Sequence, residues 1–322
     1  MKRAIARLKA HIYFRFPFRN RLVNAVRRRR WSGLSMPETI YIETTNYCNA
    51  RCYMCPHEKM ARGRGTMSWE VFARIVEECR QFEGVGLNFI LHKDGEPLMD
   101  SLLFKRIAHL KSVLPGSRIH FNTNAMLLTE EKVLQILDSG LDSITFSVDG
   151  ASPETYEKIR RGLNFETVNR NIRMFFRKKE ERGSKISATM QMIVTKENEH
   201  EIPRYREQWG DKADRIFFKS MHSFLVQGTS LHGSGLSDRQ LQRCMMPFRT
   251  MLFYWNGDVA LCCWDYDNLV GLGNINQCSL LELYNGETFN RVRVAMAAMS
   301  CTGIEPCRRC SQIYGMDGPL WQ

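Results

Sequence analysis

No stretch of about eighteen apolar residues occurs anywhere in the chain, which excludes a membrane-spanning helix. An export signal is missing as well: the N-terminal apolar stretch at 11–18 is broken by Arg15 and Pro17, so no signal peptide is expected. The eleven cysteines therefore read as reduced thiols of a cytoplasmic protein rather than as a disulfide framework. No repeat recurs at a fixed period and no low-complexity tract is found apart from the arginine run at 27–30, which argues against a solenoid or a compositionally disordered chain. Acidic residues are absent from 1–31, a segment that holds eleven Lys and Arg; with a net charge of +12 for the whole chain, the remainder is near neutral. The basic excess is local, and no nucleic-acid reading motif accompanies it, so a nucleic-acid partner is not expected.

What is present is a chain of 322 residues, 43% hydrophobic and 25% charged, long enough for one large core and a small second one. From Glu38 onward, β-branched and aromatic runs at 39–45, 86–92, 117–122, 142–148, 186–194 and 214–219 alternate with segments of helical period at 69–82, 102–114, 130–137 and 165–182. That alternation predicts six βα units and a parallel sheet. After Lys219 the rhythm fails, and 227–238 is rich in Gly and Ser, a linker or mobile loop. Beyond it, 251–254 and 259–263 flank Asn256-Gly257-Asp258, a hairpin signal, and 280–284 and 287–299 have helical spacing. The expected organisation is a basic extension at 1–37, an α/β body at 38–226 and a small module at 227–322.

Directly after the first strand stands Cys48-Asn-Ala-Arg-Cys52-Tyr-Met-Cys55, three thiols round one loop. Three cysteines leave one iron of a [4Fe–4S] cluster without a protein ligand and open to a cofactor or substrate. A zinc site completed by His57, or merely buried cysteines, are the alternatives at this stage. Lys93-Asp94-Gly95-Glu96-Pro97 closes the second strand, which puts a Gly turn and a carboxylate at the carboxyl end of the sheet, where parallel barrels place their active sites.

With these motifs the chain resembles the radical SAM superfamily over roughly 38–219. The resemblance implies an α/β fold with a partial (βα)6 barrel of the TIM type. It also implies a [4Fe–4S] cluster on Cys48, Cys52 and Cys55 that binds S-adenosylmethionine (SAM), with Gly95, Glu96 and Pro97 at the methionyl amino group. Asn124, Ser147, Asp149 and Gln191, at three further strand ends, are implied contacts of the cofactor's ribose and carboxylate, and Met54 of its adenine. The plain alternative for each is a small polar residue that ends a strand.

The C-terminal module has Cys244, Gly257 followed by four residues and Cys262, and Cys307-Arg-Arg-Cys310. Four thiols saturate an iron–sulfur cluster or a zinc ion. The module resembles the SPASM and twitch extensions of radical SAM enzymes, and Met316 stands where a full SPASM module has its next cysteine, so a single auxiliary [4Fe–4S] cluster is implied. The ligand intervals 18, 45 and 3 resemble those of the twitch dehydrogenases that act on 2-deoxy-scyllo-inosamine. Cys79, Cys278 and Cys301 read as structural. Cys263 would alternate to the face opposite Cys262, where it either packs or donates hydrogen, as a cysteine does in related aminoglycoside epimerases.

These readings lead to an expected activity: a 5′-deoxyadenosyl radical abstracts hydrogen from a small-molecule substrate, a sugar or cyclitol. A secondary alcohol becomes a ketone, the auxiliary cluster takes the electron, and Lys219 or His92 is the base. An epimerase using Cys263 is the second reading, and a peptide-modifying enzyme the third, although an extra leader-binding domain has no evident room. A flavodoxin or ferredoxin would supply the low-potential electron. The basic arm, with Ile5, Leu8 and Ile12 on one side of two short cationic helices about Pro17 and Phe14, Phe16 and Phe18 near by, suits peripheral contact with an anionic membrane. A solvated extension or a flap over the barrel is the plainer reading. The non-enzyme alternative is an iron–sulfur protein that holds nucleic acid or membrane by this arm.

Overall fold

The computed structural model describes residues 36–221, 244–308 and 310. The basic arm and the 227–238 linker, together with the expectations attached to them, lie outside these residues. All elements and both cysteine sets fall within one compact unit, Pro37–Gln322.

Six parallel strands follow one another across a single sheet: β1 (Thr39–Ile42), β2 (Asn88–Ile90), β3 (Arg118–Thr123), β4 (Ser143–Ser147), β5 (Ser187–Val194) and β6 (Arg215–Ser220). Helices α1 (Trp69–Arg80), α2 (Leu103–Val113), α3 (Glu130–Asp138), α4 (Pro153–Ile159), α5 (Phe165–Glu181) and α6 (Ile202–Trp209) connect them. This is the mixed α/β, TIM-like architecture that the strand–helix alternation predicts. Ser68, Thr129, Ser152 and Asn164 cap α1, α3, α4 and α5 by accepting from the backbone N–H three residues on, which satisfies donors that a helix start leaves unpaired.

The period of two decides which residues reach the site. On β5, Ala188, Met190 and Met192 are fully buried while Thr189, Gln191 and Ile193 are only partly so. Phe146 of β4, in register with Met190, packs edge-on against Phe175 and Phe176 of α5, so these side chains face the helical layer. The register then carries the opposite face through His120 and Asn122 of β3, Thr145 and Ser147 of β4, Gln191 and Ile193 of β5 and Lys219 of β6. Polar residues therefore collect on the inner face, and the apolar ones bury between sheet and helices.

Two departures from the sequence reading matter. First, β1 and β2 are shorter than the runs at 39–45 and 86–92, because the chain beyond them bends into loops; Thr45, for example, forms an antiparallel bridge with Thr66. Second, the hairpin expected in a separate module extends the barrel sheet. Its first strand, β7 (Thr250–Phe253), pairs parallel with β1, Ile40 beside Met251, and antiparallel with β8 (Val259–Ala260). Helices α7 (Leu280–Asn285) and α8 (Glu287–Ala297) follow. A capping box between Ser279 and Glu282 starts α7.

Candidate active site at the mouth of the barrel

The loop after β1 is pinned by backbone hydrogen bonds from neighbouring loops. Glu96 N donates to Tyr47 O at 2.9 Å, Arg51 N to Arg161 O at 2.8 Å and Tyr53 N to Ile159 O at 3.1 Å. At Gly95 a Cβ would stand 2.4 Å from Thr45 O and 2.7 Å from Tyr47 O, so only glycine lets the two loops approach this closely. The result is a recess of about 230 Å³ into which Cys48, Cys52 and Cys55 all face.

Of the residues predicted for the cofactor, Met54, Gly95, Glu96, Asn124 and Ser147 line the same recess, as does His92. The Glu96 carboxylate is held from both sides: Oε1 accepts from the Thr123 hydroxyl at 2.7 Å and Leu98 N at 3.1 Å, and Oε2 from Asn124 N at 2.7 Å. Burial raises its pKa against these donors. The Asn124 amide donates to Asn49 Oδ1 at 2.8 Å and so reaches into the cysteine loop. Three predicted residues do not line the recess. Pro97 is buried and starts a short helical turn, Pro97–Met99. Gln191 lies on the inner face beside Ser147.

Asp149 is fully buried, and both its carboxylate oxygens are engaged: Oδ2 with Arg160 Nε at 2.6 Å and Oδ1 with Ile193 N at 2.7 Å. The residue that reaches the recess is Arg160. Burial opposes its charge, but Asp149 and Cys52 beside it hold the guanidinium firmly protonated. No motif in the sequence marked Arg160; its signal was only a cation eleven residues after a buried strand-end carboxylate.

A second set of charges whose pairing the sequence reading missed lies at and behind the recess, where Lys93 and Asp94 are among the lining residues. Arg62 donates to Glu43 Oε2 at 2.7 Å and Oε1 at 2.5 Å, and also to Asp94 Oδ2, which takes Lys93 Nζ at 2.5 Å as well. Tyr254 lies under the Arg62 guanidinium at 4.1 Å, and Tyr266 under the Lys93 ammonium at 4.3 Å. Burial, then the nearby Asp94, pushes the Glu43 carboxyl up. The network stitches the hairpin to the cysteine loop: Arg62 Nε donates to Tyr266 O at 2.6 Å, Trp255 Nε1 to Gly63 O at 3.1 Å and Ala61 N to Asp267 Oδ1 at 2.8 Å.

The other predicted residues gather close by. Burial lowers the His92 pKa to about 3, helped by His120 and Lys219. Its Nδ1 accepts from Asn122 N at 3.1 Å. An imidazole so placed is neutral and weakly basic at neutral pH, which disfavours His92 as the base. The Cys263 thiol is pushed up to about 12 by burial and feels both Lys219 and Lys93. The Cys262 thiol is raised by burial and by its neighbours Cys263 and Cys310, and the Cys307 thiol, also at about 12, by burial and by Cys301, Cys310 and Cys244. Cys244, Cys262, Cys307 and Cys310 thus share one neighbourhood, and the buried Cys301, expected to be only structural, adjoins Cys244 and Cys307. Cys278 is exposed, and Cys79 is buried on α1.

Among the described residues no group of three His, Cys, Asp or Glu side chains is arranged to hold a single metal ion; sets made only of cysteine are of the kind that hold an iron–sulfur cluster, whose irons are spread apart. Burial raises the Cys48 thiol to about 11 and Cys55 to about 12; neutral thiols in such a setting become thiolates when a metal centre supplies the compensating charge. Three thiols around the recess would leave one iron of a four-iron cluster open to SAM. Glu96, Arg160, Asn124, Ser147 and Met54 surround the same space.

Residues 42–208 match the radical SAM superfamily model, and 244–311 match SPASM, an iron–sulfur cluster-binding domain. A cofactor-modifying protein for tungsten-containing aldehyde ferredoxin oxidoreductase from Pyrococcus furiosus is 27% identical over 169 residues, 51% of this chain and 46% of that protein. A probable GTP 3′,8-cyclase from Methanococcus maripaludis is 26% identical over 287 residues, 78% of this chain and 90% of that one. Among solved structures, BtrN in complex with AdoMet and 2-DOIA shares the fold at a TM-score of 0.60 and 15% identity, covering 86% of this chain and 93% of that one. Barrel, cysteine loop and family match agree: the chain belongs to the radical SAM superfamily, with a SPASM iron–sulfur cluster-binding domain in its C-terminal part.

Proposed function

We propose that the protein oxidises a secondary alcohol carbon of a neutral sugar or cyclitol to a ketone, with Cys48, Cys52 and Cys55 holding the SAM-binding cluster and Cys244, Cys262, Cys307 and Cys310 an auxiliary one. The observation that carries this reading is the pairing of β7 with β1. It brings the hairpin and its Cys262 end against the barrel mouth, so that Tyr266 lines the recess together with Cys55. An electron acceptor on that wall suits an oxidation better than a redox-neutral reaction.

Reduced cluster and SAM, when bound, supply a carbon radical that removes hydrogen from a bound substrate. The chain's own groups position and shield. Glu96, fixed by three donors, would orient the methionyl amino group. Arg160, fixed by Asp149, would take the carboxylate, so that Asp149, expected with Asn124, Ser147 and Gln191 to contact ribose or carboxylate, would act through Arg160. Asn124 and Ser147 are proposed ribose contacts and Met54 the surface against adenine, with Gln191 deeper on the same face. The buried walls exclude water. Arg160 is balanced by Asp149, while Glu43 and Asp94 balance Arg62 and Lys93. These paired walls favour a ligand that brings hydroxyl groups over one that brings net charge. With His92 neutral, Lys219 is the remaining candidate base from the sequence. A flavodoxin or ferredoxin is the proposed electron donor, and peripheral membrane contact the proposed task of the basic arm.

A second reading keeps the same radical and returns hydrogen from Cys263, giving an epimer; the position of that thiol beside Lys219 and Lys93 favours it. One experiment separates the two. Anaerobically reconstituted enzyme is given SAM, dithionite and a panel of sugars and cyclitols in deuterium oxide. A product lighter by two hydrogens, one per 5′-deoxyadenosine, supports the dehydrogenase. An unoxidised product carrying one solvent deuterium, lost in Cys263→Ala, supports the epimerase. Nucleoside formation that no polyol stimulates contradicts both.

A further inference from the structure

The cysteine loop is lined on two sides. Cys48, Ala50, Cys52, Met54 and Cys55 line the recess, whereas Asn49 and Arg51, which alternate with them in sequence, line a separate open groove of about 510 Å³ together with Glu58, Arg161 and Gly162. The loop between α4 and α5 divides in the same way, with Arg160 on the recess and Arg161 on the groove. The two loops are joined through their backbones, Arg51 N donating to Arg161 O at 2.8 Å and Tyr53 N to Ile159 O at 3.1 Å. Gly162, at a φ of 85°, makes a turn that glycine enters without strain. Cys48 and Cys52 are thus each next in sequence to a residue of the outer groove.

That groove is cationic. Arg51 and Arg161 stand against one carboxylate in its lining, Glu58. The Arg51–Glu58 contact is long, 3.7 Å, between side chains 77% and 63% exposed, a geometry that contributes little in water. Arg161 is exposed and has no ion pair among the described residues. Of residues 46–55, the exposed ones are Tyr47, Arg51 and Tyr53, and none of the three lines the recess. Tyrosine and arginine are the side chains that binding surfaces favour.

During turnover SAM and substrate fill the recess, so the electron has to enter from another side. The groove is the open surface next in sequence to two of the three cysteines. Encounters between redox proteins are small, under about 1,200 Å², and opposite charge speeds them by steering the approach. We propose that the groove of Arg51, Arg161 and Glu58 is the landing site of the electron donor, a small carrier protein whose redox group sits within an acidic rim. One electron leaves the reduced carrier and the cluster gains it; no atom or proton moves with it. The landing site rests on the flavodoxin or ferredoxin role proposed above and adds where that protein binds and through which residues.

The test uses full-length enzyme reconstituted with iron and sulfide, with flavodoxin and ferredoxin as probes. Binding of each oxidised carrier to immobilised enzyme is measured first. 5′-Deoxyadenosine formation from SAM is then driven either by the photoreduced carriers or by excess dithionite, which needs no docking. Wild type is expected to bind at least one carrier, with affinity and carrier-driven rate falling as salt rises from about 0.05 to 0.5 M and screens the steering. In Arg51→Glu/Arg161→Glu, which leaves the backbone hydrogen bond between the loops in place, both quantities fall by about tenfold or more at low salt. The salt dependence flattens, the dithionite rate stays at the wild-type level, and Glu58→Gln moves affinity the other way. If the double variant keeps wild-type affinity and carrier-driven rate, the donor binds elsewhere: the landing site is overturned and the carrier role stands. If the dithionite-driven rate falls in parallel, the two arginines shape the cysteine loop and the landing site is wrong. If wild type makes nucleoside with dithionite but neither binds nor takes electrons from either carrier, the carrier role fails and the landing site falls with it.

Discussion

His92 sits at a strand end beside the cluster cysteines, where a sequence reader looks for a base, but its ring is buried against His120, 5.9 Å away between ring centres. The drop in its pKa from an ordinary value of about 6.5 to about 3 has a thermodynamic sign. The unfolded chain binds a proton that the folded one refuses, so the contribution is fully present above pH of about 6.5 and is lost as pH falls toward 3. Thermal midpoints of wild type and His92→Gln, measured from pH 7 down to pH 5, are expected to differ in slope, with wild type falling more steeply. Parallel curves would mean that the ring titrates normally in the fold. The same scale shows where single residues were illegible. Asp149 and Ser147 share a strand end, and their chemistry looked alike; only the fold reveals that Asp149 is consumed by Arg160 and Ile193 N and that Arg160 carries the charge to the recess.

Among the elements, the six βα units were legible because each strand is a short apolar or alternating run between capped helices, a local signal. The pairing of β7 with β1 was not, since Ile40 and Met251 are far apart in sequence and a hairpin motif says nothing of which edge it joins. The network of Glu43, Arg62, Lys93 and Asp94 escaped for the same reason: four charged residues from three separate segments look like ordinary surface until the fold buries them. That network joins β1, the loop after Ile90, the cysteine loop and the hairpin. Arg62→Met removes the shared donor and leaves Glu43 with no cation of its own. Breaking a buried pair from one side costs about 3–5 kcal/mol. The variant is expected to melt well below wild type and to bind less iron at both sites in the same preparation. Loss of iron from only one site would show that the network does not couple them.

For the molecule as a whole, the account is that two cysteine sets, separated by nearly two hundred residues, serve one reaction at one barrel mouth. The sequence made both sets visible through spacing, and the fold sets Tyr266, four residues after Cys262, in the recess that Cys55 lines. Substrate identity was hidden in the sequence because the charges in and around the recess are paired across five different segments. The most direct measurement is iron content with Mössbauer spectra for wild type, a Cys48/Cys52/Cys55→Ala variant and a Cys262/Cys307→Ala variant, alongside 5′-deoxyadenosine formation from SAM and dithionite. Two four-iron clusters predict about eight irons in wild type and about four in each variant, with nucleoside lost only when the barrel cysteines are removed. About four irons in wild type, or nucleoside made without Cys48, Cys52 and Cys55, would contradict the account.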